Sequence, residues 1–120
     1  MKKLGFGIIA IFLFLALTGA APDEQSFTGE IMDSKCANLG GHAEMMKEHQ
    51  NLHTDKECTL ECQKGGARLV LFNPFTKLTY QLDDQNKSEQ FAGTNVSVSG
   101  TLDDSRKTIH VSNITAVPET

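Results

Sequence analysis

All three cysteines of the chain, Cys36, Cys58 and Cys62, fall within one short stretch, together with His42, His49, His53, Met45 and Met46. Thiolate, imidazole and thioether are the ligands that zinc and copper select. Cys36, His42, Cys58 and Cys62 make a Cys3His set of the kind a structural zinc uses. Asp33, just upstream, is suited to be a further ligand or a carboxylate that orients His42. Helical spacing leaves a second arrangement open. His42, Met45 or Met46, His49 and His53 recur every three to four residues, a stripe that suits copper, above all Cu(I) with a cysteine nearby.

Plainer uses compete for the same side chains. In an exported chain the first expectation for cysteines is a disulfide, here from Cys36 to Cys58 or Cys62 with one thiol left over. Met45 and Met46 suit core filling under a helix, and His49 and His53 lie in a polar stretch that solvent covers. Asp33, Cys36 and His42 also spell an acid, a nucleophile and a base, with Cys36 activated in the first turn of a helix. No C-x-x-C motif or oxyanion arrangement accompanies them, so the reading is non-enzymatic.

These residues need a scaffold. The segment Phe27 to Met32 alternates apolar with small or polar residues, the period of a half-buried strand. From Asp33 to Gly66 the pattern turns helical. Thr54-Asp55-Lys56-Glu57 has the spacing of a capping box, Gly65 suits the far cap, and Cys58 and Cys62, four apart, share a face. Leu69 to Phe72 is a continuous apolar run, and Leu78, Tyr80 and Leu82 alternate after Asn73-Pro74, which predicts a hairpin. A helical turn over Ser88 to Ala92 ends at Gly93. Two strands follow, one through Val96 and Val98 to Leu102 and one from Thr108 through Ile114. The expected fold is mainly β with a helical insertion, a small five-stranded OB-like barrel, and the alternative is an open five-stranded α+β sheet. Gly29 and Gly100, inside strands, mark places where backbones approach closely.

Lys2 and Lys3 precede an uncharged apolar run, Leu4 to Leu17, and small residues follow at Thr18-Gly19-Ala20. This is a signal-peptide pattern with cleavage after Ala20, and the run is too short for a permanent membrane span. Residues 1–20 are therefore read as the signal peptide, 21–26 as a flexible leader and 27–118 as one domain carrying the helical Cys/His segment 33–66. The mature protein is expected in the periplasm or outside the cell, not embedded in a membrane. The formal charge of −4 carried by the full chain becomes more negative without Lys2 and Lys3. An acidic chain without a basic cluster argues against a nucleic-acid partner. Hydrophobic residues are 39% of the chain, the Leu4–Leu17 run included, so the folded part has a lean core. Small lean domains commonly add a disulfide or a metal.

Asp33-Ser34-Lys35-Cys36-Ala37, Gly41-His42, Cys58-Thr59-Leu60-Glu61-Cys62, Tyr80-Gln81-Leu82-Asp83-Asp84-Gln85 and Phe91-Ala92-Gly93 together resemble an uncharacterised family of small secreted proteins of soil bacteria. The specific part is the D-S-x-C, G-x-H and C-T-x-x-C combination. The resemblance covers nearly all of the mature chain and implies a barrel-like β domain; it implies no activity. Its pattern falls on Cys36, His42, Cys58 and Cys62, with Asp33 beside them, and passes over His49 and His53. The expectation is one zinc or copper ion in a Cys3His cluster. The alternative is a disulfide-stabilised module that binds a protein or glycan partner without metal.

Overall fold

The computed structural model describes residues 23–118. The expected signal peptide lies outside the described residues. Five strands, β1 (Gln25–Asp33), β2 (Leu69–Phe72), β3 (Thr79–Leu82), β4 (Asn95–Asp103) and β5 (Thr108–Ala116), form one mixed sheet that closes in a ring in the order β1-β2-β3-β5-β4. All neighbours are antiparallel except β3 and β5, which run parallel through Gln81↔Thr108 and Leu82↔Ile109. Closure joins the two sides that an open sheet would leave as edges. β1 begins at Gln25, two residues ahead of the alternation that starts at Phe27, because Gln25 and Ser26 pair with Gly100 and Ser99. The expected leader is to that extent strand.

Alternate residues of every strand meet in one core: Ile31 from β1, Leu69 and Leu71 from β2, Leu82 from β3, Val96 and Val98 from β4, Ile109 and Ile114 from β5. The spacing from Ile109 to Ile114 breaks the period of two. Between the pairs Ser99↔Asn113 and Gly100↔Val111, β5 has one residue more than β4, and this bulge returns Ile114 to the core side. Gly29 and Gly100 lie where the sequence placed close approaches: an added Cβ would come 2.5 Å from Phe72 O and 2.2 Å from His110 O respectively.

Between β1 and β2 the chain forms α1 (Ser34–Asn38), α2 (Ala43–Glu48) and α3 (Asp55–Lys64). These helices cover the other face of β1 and β2, where Met32, Val70 and Phe72 join Ala37, Met45, Leu52, Cys36 and Cys58 in a second cluster. A strand buried on both faces has no polar side to show, which is why Leu69 to Phe72 is apolar throughout. Thr54 caps α3 as its spacing implied, accepting the Glu57 N–H at 3.1 Å. The reciprocal bond differs by one residue, since Glu57 Oε2 accepts from His53 N–H. Gly65 is the far cap and Gly66 takes the left-handed conformation (φ 103°) that ends the helix.

One further helix, α4 (Gln85–Glu89), lies between β3 and β4. It starts three residues before the expected Ser88 because Asp84 caps it through the Lys87 N–H, 2.9 Å. Gly93 then holds the helical insertion to the ring. Its N–H donates to Ile31 O at 2.8 Å, its φ is +73°, and a Cβ there would meet Lys56 N at 2.3 Å and Lys56 Cα at 2.6 Å. No helix among the described residues is long and apolar enough to cross a membrane.

Gly93→Ala forces the α3 backbone away from the ring and strains a left-handed residue. The expected loss is about 2–4 kcal/mol, or a melting temperature lower by roughly 10 °C or more for a domain of this size. Thermal unfolding followed by circular dichroism checks it, and an unchanged midpoint would show that the α3 contact does not hold the insertion in place.

Candidate metal centre

The end of β1 and the start of α1 meet at Asp33. Extended at φ −77°, ψ 152°, it caps α1, and its Oδ2 accepts the Cys36 N–H at 2.9 Å. That bond fixes Cys36 over the outer face of β1. The chain turns through Gly40 and Gly41 so that His42 enters α2 as its first flanking residue. α3 returns along β1 with Cys58 and Cys62 one turn apart on the face it presents to the cluster. Cys36, Cys58 and Asp33 are fully buried, His42 is 7% exposed, and Cys62 is half-buried.

The Sγ atoms of Cys36, Cys58 and Cys62 all lie within 4.8 Å of one another, and so do ligand atoms of Asp33, Cys36 and His42. Cys36 belongs to both groups. Cys36 Sγ and Cys58 Sγ are 3.5 Å apart. Sulfurs on a tetrahedral ion at about 2.3 Å would be roughly 3.8 Å apart, whereas a disulfide needs about 2.05 Å. The three cysteines are free thiols in this structure. The structure thus gathers all five expected residues around Cys36, in two groups that share it.

The carboxylate that orients His42 is Glu30, not Asp33. His42 Nε2 donates to Glu30 Oε2 at 2.8 Å in a buried pair, while Asp33 spends one oxygen on the helix cap. With Nε2 holding its proton for the carboxylate, a neutral ring has its lone pair on Nδ1. That Nδ1 is buried without a hydrogen-bond partner, as are Asp33 Oδ1 and Thr59 Oγ1. An orphaned buried polar atom costs about 1–3 kcal/mol, and metal coordination is one means of satisfying two of these three. A carboxylate behind a ligating imidazole is the usual support of such a ligand. Asp55 stands on the Glu30 side of the ring, within 4.8 Å of both Glu30 and His42 ligand atoms.

Of the helical stripe, His49 and His53 are exposed, Met45 is packed in the second cluster, and Met46 is half-buried against it. The methionines pack as core filling, in keeping with the plainer expectation. Glu30 and Asp55 were not singled out from the sequence. Glu30 stands two residues before Met32, and an acid sharing a strand face with a large apolar residue signals a covered face.

Burial drives the electrostatics of the site. It pushes the Cys36 thiol far above its ordinary range, with the Asp33 carboxylate and Cys58 adding to the effect. Burial, Asp33 and Cys58 raise Cys62 to about 11. An activated thiolate at Cys36 was one reading of its place in a first helical turn; desolvation and the capping carboxylate outweigh the helix terminus there, and the shift runs upward. Burial opposes charge on His42, but the Glu30 hydrogen bond, contact with Cys58 and the Glu30 and Asp55 charges outweigh it and raise it to about 9. Burial raises Glu30 as well, against the pull of His42.

Comparison with protein-family models, with curated proteins and with solved structures finds no match to this chain.

Every shift in the cluster favours the protonated form in the fold, which fixes the sign of its pH dependence. For His42, raised from 6.5 to about 9, the stabilisation is complete below pH 6.5 and lost as pH climbs through 9. Cys62, raised from 9.0 to about 11, continues the loss above that. The metal-free protein is therefore expected to melt at progressively lower temperature from pH 6.5 upward. Glu30→Gln removes the partner that raises His42 and should flatten or reverse the slope between pH 6.5 and 9. Melting curves of both proteins across that range check this, and parallel slopes would sink the assignment.

Proposed function

We propose that this is an exported, non-enzymatic domain that binds one transition-metal ion, zinc or copper, through Cys36, Cys58, Cys62 and His42. Asp33 closes the set as a weaker ligand or as a carboxylate behind it. The observation that carries the reading is the convergence on Cys36 of two further thiols, an imidazole with an orphaned nitrogen and a carboxylate with an orphaned oxygen. The chemistry of the donors matches a Cys3His zinc site or a thiolate copper site.

The scaffold supports it. A ring ordered β1-β2-β3-β5-β4, with one helix between β3 and β4, fits the expected OB-like barrel, and the β1–β2 connection is among the loops such barrels use to hold ligands. The connection here contains every thiol of the chain. Its helices bury few large apolar side chains, so an ion would contribute to ordering them. Lys2, Lys3 and the apolar run after them support export to the periplasm or the cell exterior.

A second reading has one observation in its favour, the 3.5 Å between Cys36 Sγ and Cys58 Sγ. A small shift would let these two form a disulfide in an oxidising compartment, leaving Cys62 spare and the domain free to serve as a protein- or glycan-binding module.

Native intact mass of the untagged protein purified from the periplasm separates the two. The metal reading predicts a mass raised by one zinc or copper ion, lost on acidification to leave three reduced cysteines. A metal-free mass two hydrogens short, with a melting point unmoved by chelators, would replace it with the disulfide module. His42→Ala should lower both metal content and melting temperature. Glu30→Gln should keep the ion but weaken it by about 10–100-fold, the usual effect of losing a carboxylate behind a histidine ligand. Affinities equal to the parent protein's would remove Glu30 from the site.

A further inference from the structure

The three thiols are not equivalent in their access to solvent. Cys36 and Cys58 are fully enclosed, whereas Cys62 lines an open cleft of about 360 Å³. Met45, His49, Leu52 and Lys35 line the same cleft. Met45 and His49 are four residues apart on α2 and its end, and His42 precedes Met45 by three. One side of α2 therefore carries an exposed imidazole, a buried thioether and the buried imidazole of the metal cluster. His49, Met45 and Cys62 thus line one cleft, and Cys62 in turn belongs to the cluster of thiols that includes the enclosed Cys36 and Cys58.

An ion held only by enclosed ligands leaves when the fold opens, which is slow. A ligand at the surface permits exchange, because an incoming donor can bind the ion before the last protein ligand lets go. Thioether donors favour soft ions, Cu(I) above all. A histidine at the mouth and a methionine beside it are donors that suit exchange of Cu(I) and that a structural zinc does not need.

We propose that the cleft beside Cys62 is the port through which Cu(I) enters and leaves the thiol cluster by ligand exchange, with Met45 and His49 as transient ligands and Cys62 as the ligand that changes hands. The proposal rests on the metal reading and deepens it by naming the ion. In the entry step a bond from Cu(I) to a ligand of its donor breaks as the bond to Cys62 Sγ forms. The thiol proton passes to water, copper stays in the +1 state and no electron moves. Cys36 and Cys58 then hold the ion in the enclosed part of the site.

The test is a transfer rate read beside an equilibrium. The mature protein is loaded with Cu(I) under anaerobic reducing conditions and mixed with the soluble chelator bathocuproine disulfonate, and colour formation gives the exchange rate. Met45→Leu keeps the volume of a packed residue while removing its sulfur, and His49→Gln changes an exposed side chain. Each should slow transfer, the pair by about tenfold, with the Cu(I) Kd within about threefold of the parent's. Zinc transfer to a chelator should be unaffected by either. Rates equal to the parent's in His49→Gln and in the pair overturn the port, as does a Kd that changes as much as the rate, which would make Met45 or His49 a resident ligand. Zinc binding without Cu(I) binding overturns the port alone. Binding of neither ion overturns the metal reading with it.

Discussion

Burying three thiols, an imidazole and two carboxylates behind β1 is the constraint on which the rest of this structure depends. Polar groups leave water only if something replaces it, and the means differ along the cluster. Asp33 gives one oxygen to the Cys36 N–H, and His42 gives one nitrogen to Glu30. The other atom of each remains without a hydrogen-bond partner, and the Cys36 and Cys58 thiols lie against each other. Desolvation then holds Cys36 and Cys62 protonated, while Glu30, against desolvation, keeps a proton on His42. The metal-free cluster is a set of donors storing protons that a cation would displace.

The ring supplies the rigid side of this arrangement. β2 and the Glu30–Asp33 end of β1 are buried on both faces, and the period of two along them sends Ile31, Leu69 and Leu71 to one core and Met32, Val70 and Phe72 to the other. Glu30 and Met32 share the outer face, so the carboxylate behind His42 is held by a strand, which wavers less than a loop. The insertion is fastened at its ends, by the Asp33 cap and the Gly93 contact with α3. Its middle carries His42 and the turn before α2, and the open cleft lies between α2 and the two ends of the insertion, lined by Lys35, Met45, His49 and Cys62.

How much of this was legible in the residues follows from the range of each interaction. Strands were readable because their signal is local alternation, and β2 because an unbroken apolar run of that length means two covered faces. Thr54, Asp33 and Gly66 act within a few residues of themselves, so caps and ends came within a residue or two. Phase errors arose where a partner elsewhere decided the outcome: β1 lengthens to Gln25 because β4 lies beside it, and Ile114 faces inward because of a bulge. The grouping of Cys36, His42, Cys58, Cys62 and Asp33 was legible from residue type, since soft donors are otherwise scarce in the chain.

The sequence by itself determined which atoms are available: donors of one chemical class, placed by short-range rules at helix starts and on one helix face, in a chain with too little apolar mass to ignore them. Only the tertiary structure decided their environment. It put Glu30 behind His42, though twelve residues separate them, raised Cys36 where its helix position alone would have lowered it, and left Cys62, of the three thiols, facing the cleft. Those outcomes depend on desolvation and on distances across the ring, and neither quantity exists until strands and helices far apart in the chain have packed together.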